Sequence, residues 1–138
     1  MTRRDVGEAR IRVPQRIARG DIILVHSIVQ HPMDTGFFRT TDGQPIPAWF
    51  IKDVVVTYAG REVAKFTWTS GISRDPVMSF NLLADREGPL MMRWTDNKGA
   101  VFEASAQITF GTSLRLAIAN SVLSLLRCPA MNCERCSQ

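Results

Sequence analysis

Residues 101–110 read VFEASAQITF, and from Phe102 onward apolar and polar side chains alternate over nine positions. Phe102, Ala104, Ala106, Ile108 and Phe110 fall on one side; Glu103, Ser105, Gln107 and Thr109 fall on the other. Only an extended strand, whose side chains point to opposite faces in turn, sorts such a sequence into a dry face and a wet one. The same period recurs along the chain. ARIRV (9–13) sets Ala9, Ile11 and Val13 against Arg10 and Arg12, and Pro14 helps to end it. Residues 51–58 place Val54, Val56 and Tyr58 together, and residues 62–69 place Ala64, Phe66 and Trp68 together. Met78, Phe80 and Leu82 share a side in 77–85, as do Leu90, Met92 and Trp94 in 90–95. One segment differs: IILVHSIV (22–29) is nearly continuous apolar and reads as a central strand covered on both faces, with His26 on the side of Ile22, Leu24 and Ile28.

The connections support the same reading. Ala59, Gly60 and Arg61 join two strands as a tight hairpin, and TDNKG (95–99) is a turn by its Asp, Asn and Gly. Seven short strands without an intervening helix predict an all-β, immunoglobulin-like or fibronectin-like β-sandwich over residues 9–110. It would be a disulfide-free one, because the three cysteines are Cys128, Cys133 and Cys136, all near the C-terminus. After Gly111 the period changes. SLRLAIANSVLSLLR (113–127) has no Pro or Gly and predicts a helix with a narrow polar stripe of Ser113, Asn120, Ser124 and Arg127. Its apolar remainder should pack on protein. The chain thus divides into a basic arm (1–8), the sandwich (9–110) and a helical, cysteine-containing tail (111–138).

Charge narrows the function classes. The formal charge of the chain is +4, and residues 1–20, with six Arg against Asp5 and Glu8, also carry +4. The rest is neutral overall, so there is a basic arm but no basic groove through the fold, and no nucleic-acid partner is expected. Arg3 and Arg4 are followed by Asp5, Val6, Gly7 and Glu8 rather than an apolar stretch, so they do not open an export signal. No apolar run is long enough to span a bilayer. No nucleophile elbow and no phosphate-cradling glycine loop is present, which argues against an enzyme. The tail spacing C-x4-C-x2-C leaves open a redox pair, a zinc site short of its fourth ligand, a local disulfide with one free thiol, or unpaired thiols.

The stretch HPMDTGFF (31–38) breaks the strand pattern and opens a Pro- and Gly-rich segment that runs to residue 48. Two readings arise. His26, His31 and Met33 form an imidazole–thioether set suited to Cu(I), as in a periplasmic copper-binding sandwich. Alternatively the stretch is a rigid loop. Pro32 holds His31 extended, Asp34 and Thr35 bond the turn locally, and Gly36 takes a positive φ. Phe37, Phe38, Ile46, Trp49 and Phe50 would then fold back as anchors, with His31 and Met33 on display to a partner. On that reading His31→Ala weakens a complex without unfolding the domain.

HPMDTG, Pro45-Ile46-Pro47, the Gly60 hairpin, and Trp94-Thr95-Asp96 followed by Gly99 occur in the order and setting seen in the SoxZ family, and the chain resembles that family over residues 9–110. The resemblance implies an immunoglobulin-like subunit with no catalytic residues and no cofactor. Its partner would be the SoxY-type carrier, which holds sulfur intermediates of bacterial thiosulfate oxidation on a cysteine in a Gly-flanked arm. Other enzymes of the pathway would dock transiently. The resemblance also implies a periplasmic location, reached by co-export with the signal-bearing partner. His31, Pro32, Met33, Asp34, Thr35, Gly36, Phe37, Trp49 and Phe50 are the expected docking residues. Residues 111–138 depart from the family pattern, and the tail cysteines lack the carrier arm's glycine flanks.

Overall fold

The computed structural model describes residues 6–111; the helix expected over 113–127, the basic residues 1–5 and the three cysteines lie outside the described residues. Within them are seven strands: β1 (Ala9–Arg12), β2 (Asp21–Val29), β3 (Ile51–Tyr58), β4 (Arg61–Thr67), β5 (Val77–Ala84), β6 (Gly88–Asp96) and β7 (Val101–Ile108). All pairings are antiparallel. They form a three-stranded sheet in the order β1-β2-β5 and a four-stranded sheet in the order β4-β3-β6-β7. Apart from β2, each strand places its expected apolar set inward. Val25, Val29, Val54, Val56, Leu90, Met92, Trp94 and Ile108 are fully buried between the sheets, and Phe66, Met78, Phe80 and Phe102 pack around them.

Two local devices set the register. Ala59 and Gly60 both take positive φ (48° and 81°), the conformation of a two-residue turn whose twist matches its flanking strands. Near the start of β3 a bulge shifts the pairing with β6 between Ile51 and Asp53. The extra residue lets Ile51 and Val54 both face the core although they are three apart.

The structure corrects the sequence reading of β2. Ile23, Val25, Ser27 and Val29 are buried, but Ile22, Leu24, His26 and Ile28 are exposed. A sandwich of two sheets gives β2 only one inner face. Among the described residues no element covers the other. No helix there is long and apolar enough to cross a membrane.

Candidate functional site

The segment between β2 and β3 is a long irregular hairpin. Asp34 and Trp49 exchange both backbone bonds, at 2.7 and 2.9 Å. Ile46 N–H donates to Phe38 O at 2.9 Å, Arg39 bridges Pro45, and Thr40 N–H donates to Gln44 O at 2.8 Å. Gly36 has φ +86°, and a Cβ there would stand 3.2 Å from the Ala48 Cβ, so glycine serves both the turn and the close approach of the two arms. Thr35 Oγ1 accepts the Phe37 N–H at 3.2 Å. The β6–β7 turn braces the returning arm: Phe50 N–H donates to Asn97 Oδ1 at 3.0 Å, and Asn97 Nδ2 donates to Ala48 O at 2.9 Å.

At the base of the hairpin sits a buried polar cluster. His31 is 1% exposed and Asp96 is fully buried. Asp96 Oδ2 accepts from Trp49 Nε1 at 2.8 Å. Its Oδ1 accepts from the backbone N–H groups of Lys98 and Ala100, at 2.9 and 2.8 Å. Burial alone would raise the Asp96 pKa, but these donors, with His31 beside them, outweigh it and hold the carboxyl below its ordinary range. His31 Nδ1 accepts the Met33 N–H at 3.2 Å, which assigns the ring proton to Nε2. That Nε2 lies 3.6 Å from Asp96 Oδ2, beyond hydrogen-bond range, and has no hydrogen-bond partner. Burial lowers the His31 pKa, outweighing the upward pull of Asp96 and Asp34, so the ring is neutral at pH 7.

The ring is enclosed edge-on by Trp49 and Phe102, at centroid distances of 5.1 and 5.9 Å. Its backbone is pinned from the other side. Asp75 N–H donates to His31 O at 2.9 Å and His31 N–H donates to Asp75 Oδ1 at 3.1 Å. Met33 is buried too, at positive φ (52°), and its Sδ accepts the Ile51 N–H at 3.3 Å. A bulky side chain is held in that conformation only where its surroundings over-determine it. Over this base, the Lys98 ammonium stands 4.3 Å from the centre of the Trp49 ring, a cation–π contact.

The expected display is therefore inverted. His31 and Met33 are not presented to a partner; they are the inner wall of the loop's base, and His31→Ala would open a cavity in the fold. Phe37 and Phe38 do not anchor the loop; they are 89% and 64% exposed on the outgoing arm. The physical reason is the ladder, which ties the two arms together through backbone bonds and releases both aromatic rings from that task. Pro32, Asp34, Thr35, Gly36, Trp49 and Phe50 are half-buried, and Phe50 packs against the core. The copper set does not assemble. His26 is on the outer face of β2, bonded to Ser79 Oγ at 2.7 Å, whereas His31 and Met33 are inside.

Asp96, Asn97 and Lys98 are the site residues that sequence reasoning missed: it took all three as a turn, and Asp96 also as part of the Trp94-Thr95-Asp96 motif, but none as part of the site. The signal was present for Asp96: it follows Leu90, Met92 and Trp94 in the inward period of β6.

The profile of the family described as "Sulphur oxidation protein SoxZ" matches residues 11–107. No curated protein sequence matches the chain at a significant level. Among solved structures, the superoxide reductase (neelaredoxin) from Ignicoccus hospitalis superposes with a TM-score of 0.58 at 16% identity, over 76% of this chain and 81% of that one. The sulfur carrier protein SoxY from Chlorobium limicola superposes with a TM-score of 0.51 at 14% identity, over 74% and 77%. A protein from Thermotoga maritima described as a superoxide reductase gives 0.56 at 16% identity, over 72% and 83%. At these identities the likeness is one of fold.

Proposed function

The chain belongs to the SoxZ family of sulphur oxidation proteins, and from that premise we propose that it is a non-catalytic, immunoglobulin-like docking subunit. It pairs with a SoxY-type carrier, whose cysteine holds sulfur intermediates, and it positions that carrier for the enzymes of thiosulfate oxidation. It works in the periplasm, exported together with its signal-bearing partner. The observation that carries the docking role is the exposed Phe37 and Phe38 pair on a braced hairpin. Exposed aromatics on a preorganised surface supply large contact area with little ordering cost on binding. His31 and Asp96 are enclosed and brace the base of that hairpin.

The test is co-expression with a SoxY-type carrier, followed by size-exclusion chromatography and titration. The two chains should elute together. Phe37→Ser with Phe38→Ser should weaken the complex at least tenfold while the melting temperature stays unchanged. Separate elution would refute the pairing; full affinity in the double variant would refute the placement of the interface.

A further inference from the structure

Among the described residues three non-glycine residues take positive φ: Met33 (52°), Ala59 (48°) and Asp75 (49°). Ala59 does so inside a hairpin turn. Met33 and Asp75 lie in irregular segments, and both are bonded to His31. Asp75 N–H donates to His31 O, His31 N–H donates to Asp75 Oδ1, and Met33 N–H donates to His31 Nδ1. Backbone strain of this kind persists only where neighbouring contacts over-determine it, and it gathers at functional and switching sites. Met33 is held by its N–H on His31 Nδ1 and by its Sδ on the Ile51 N–H.

The first of these contacts depends on a proton. Nδ1 accepts only while the ring is neutral, because an imidazolium has two N–H donors and no acceptor. On protonation the Met33 N–H therefore faces a donor at 3.2 Å and loses its partner. The same proton acts at the other ring nitrogen. Nε2 stands 3.6 Å from Asp96 Oδ2 without a hydrogen bond, and a positive charge draws the ring across that gap. Charged groups face His31 from each element around it. Asp34 stands on the hairpin, Asp96 at the end of β6, Lys98 in the turn that follows, and Asp75 between β4 and β5. Burial holds the ring neutral against the pull of Asp96 and Asp34, and Lys98 adds to the effect of burial, so the proton is taken up only below pH 6.5.

Met33 leads directly into the exposed hairpin. Its neighbour Asp34 makes the two backbone bonds with Trp49 that close the arms, and Phe37 and Phe38 follow on the outgoing arm. The strand ladders of both sheets do not use His31. We propose that His31 is a proton-operated latch on this hairpin: protonation frees Met33, opens the outgoing arm from residue 33 to residue 38 and withdraws the Phe37–Phe38 surface. Acidification thereby releases a partner without unfolding the sandwich. The release of a partner rests on the docking reading of Phe37 and Phe38; the latch does not.

The latch is tested on the full chain alone by two-dimensional proton–nitrogen spectra from about pH 7 to about pH 4. The amide signals of Met33, Asp34 and Phe37 should move to random-coil positions with the same midpoint as the His31 ring signals, while those of β3 and β6 stay dispersed. His31→Asn separates the proton from the packing. An asparagine can accept the N–H two residues on and does not titrate, so its hairpin signals should hold through the whole range. Hairpin signals that stay in place while His31 titrates, or that change only when the sandwich unfolds, would overturn the latch. So would the same transition in the His31→Asn chain. Binding to a SoxY-type carrier is read separately, by titration at about pH 7 and about pH 5. Affinity should fall at least tenfold for the native chain and stay within about twofold for His31→Asn. Full affinity of the native chain with an open hairpin would overturn the release of the partner. Absence of binding even at neutral pH would refute the docking reading, and the release with it, while the spectra decide the latch.

Discussion

Asp96→Asn is a nearly isosteric change with a large expected cost. Asp96 Oδ1 accepts two backbone N–H groups, so the asparagine oxygen takes that position. Its amide nitrogen then replaces Oδ2, which accepts from Trp49 Nε1 at 2.8 Å and faces His31 Nε2 at 3.6 Å. A donor is placed against two donors in a site without exposed surface. The loss of one charge-assisted hydrogen bond and the stranding of buried donors together should cost about 3–5 kcal/mol. For a domain of this size each kcal/mol moves the melting temperature by about 4–8 °C, so a drop of at least about 12 °C is expected. Urea unfolding followed by far-ultraviolet circular dichroism measures it. Trp49→Phe removes the opposed indole donor, so Asp96→Asn should cost less in that background, with a coupling of about 1–3 kcal/mol. The acid limb gives an independent reading. The folded Asp96 pKa lies below the ordinary 3.8, so its contribution is complete above that value and is lost as the pH falls through the folded pKa. The variant should lack this part of the acid loss. Stability within about 1 kcal/mol of the parent, or strictly additive costs with Trp49→Phe, would refute the assignment of Asp96 as the hub of the loop base.

His31 titrates in another window. Its folded pKa is lowered from 6.5 by burial, so the unfolded chain binds the proton more tightly. Stability should therefore fall as the pH drops below about 6.5 and level off only below the folded pKa. His31→Asn should flatten this decline, as urea midpoints between pH 7 and pH 5 would show. His31→Ala should cost about 2–4 kcal/mol through the cavity left between Trp49 and Phe102, measured in the same unfolding assay. Gly36→Ala should cost about 1–3 kcal/mol, because it combines a left-handed backbone with a crowded Ala48; equal urea midpoints would disprove the tight hairpin. Replacing Cys128, Cys133 and Cys136 together by Ser should leave thiosulfate-dependent turnover of the reconstituted complex unchanged, since the proposed subunit carries no sulfur itself.

The strands were legible because their signal is local. A period of two over eight residues needs no knowledge of what lies opposite, and β3, β5, β6 and β7 place their inward sets as the alternation requires. β2 was misread for the same reason. A continuous apolar run fits a doubly covered strand equally well, and only the layer count decides whether its second face is covered within the described fold. The candidate site was legible in its backbone and not in its side chains. Pro32, Thr35 and Gly36 act within a few residues of themselves, so turn chemistry reveals them. The fates of His31 and Phe37 depend on Asp96, Trp49 and Phe102, which lie more than ten positions away in sequence. Asp96 was hidden by ambiguity of type: an Asp before Asn-Lys-Gly satisfies turn chemistry so well that its place in the inward period of β6 goes unweighed.

That hidden carboxylate explains how one short loop can be rigid at its base and apolar at its tip. A loop exposing Phe37 and Phe38 without support would collapse onto the sandwich to bury them, and the proposed binding surface would be lost. The structure opposes that collapse from three directions. Asp75 holds the His31 backbone, the Met33 thioether holds Ile51, and Asp96 and Asn97 hold Trp49 and the 48–50 segment. With the base occupied by polar groups that each need a fixed partner, the space under the loop is already filled, and the two rings have no inward position to take. Buried polar groups of this kind add little net stability, but they penalise every alternative arrangement in which they lose a partner. Here the arrangement they select keeps the loop's two phenylalanines in water. A free domain gains nothing from that exposure, whereas a docking subunit depends on it.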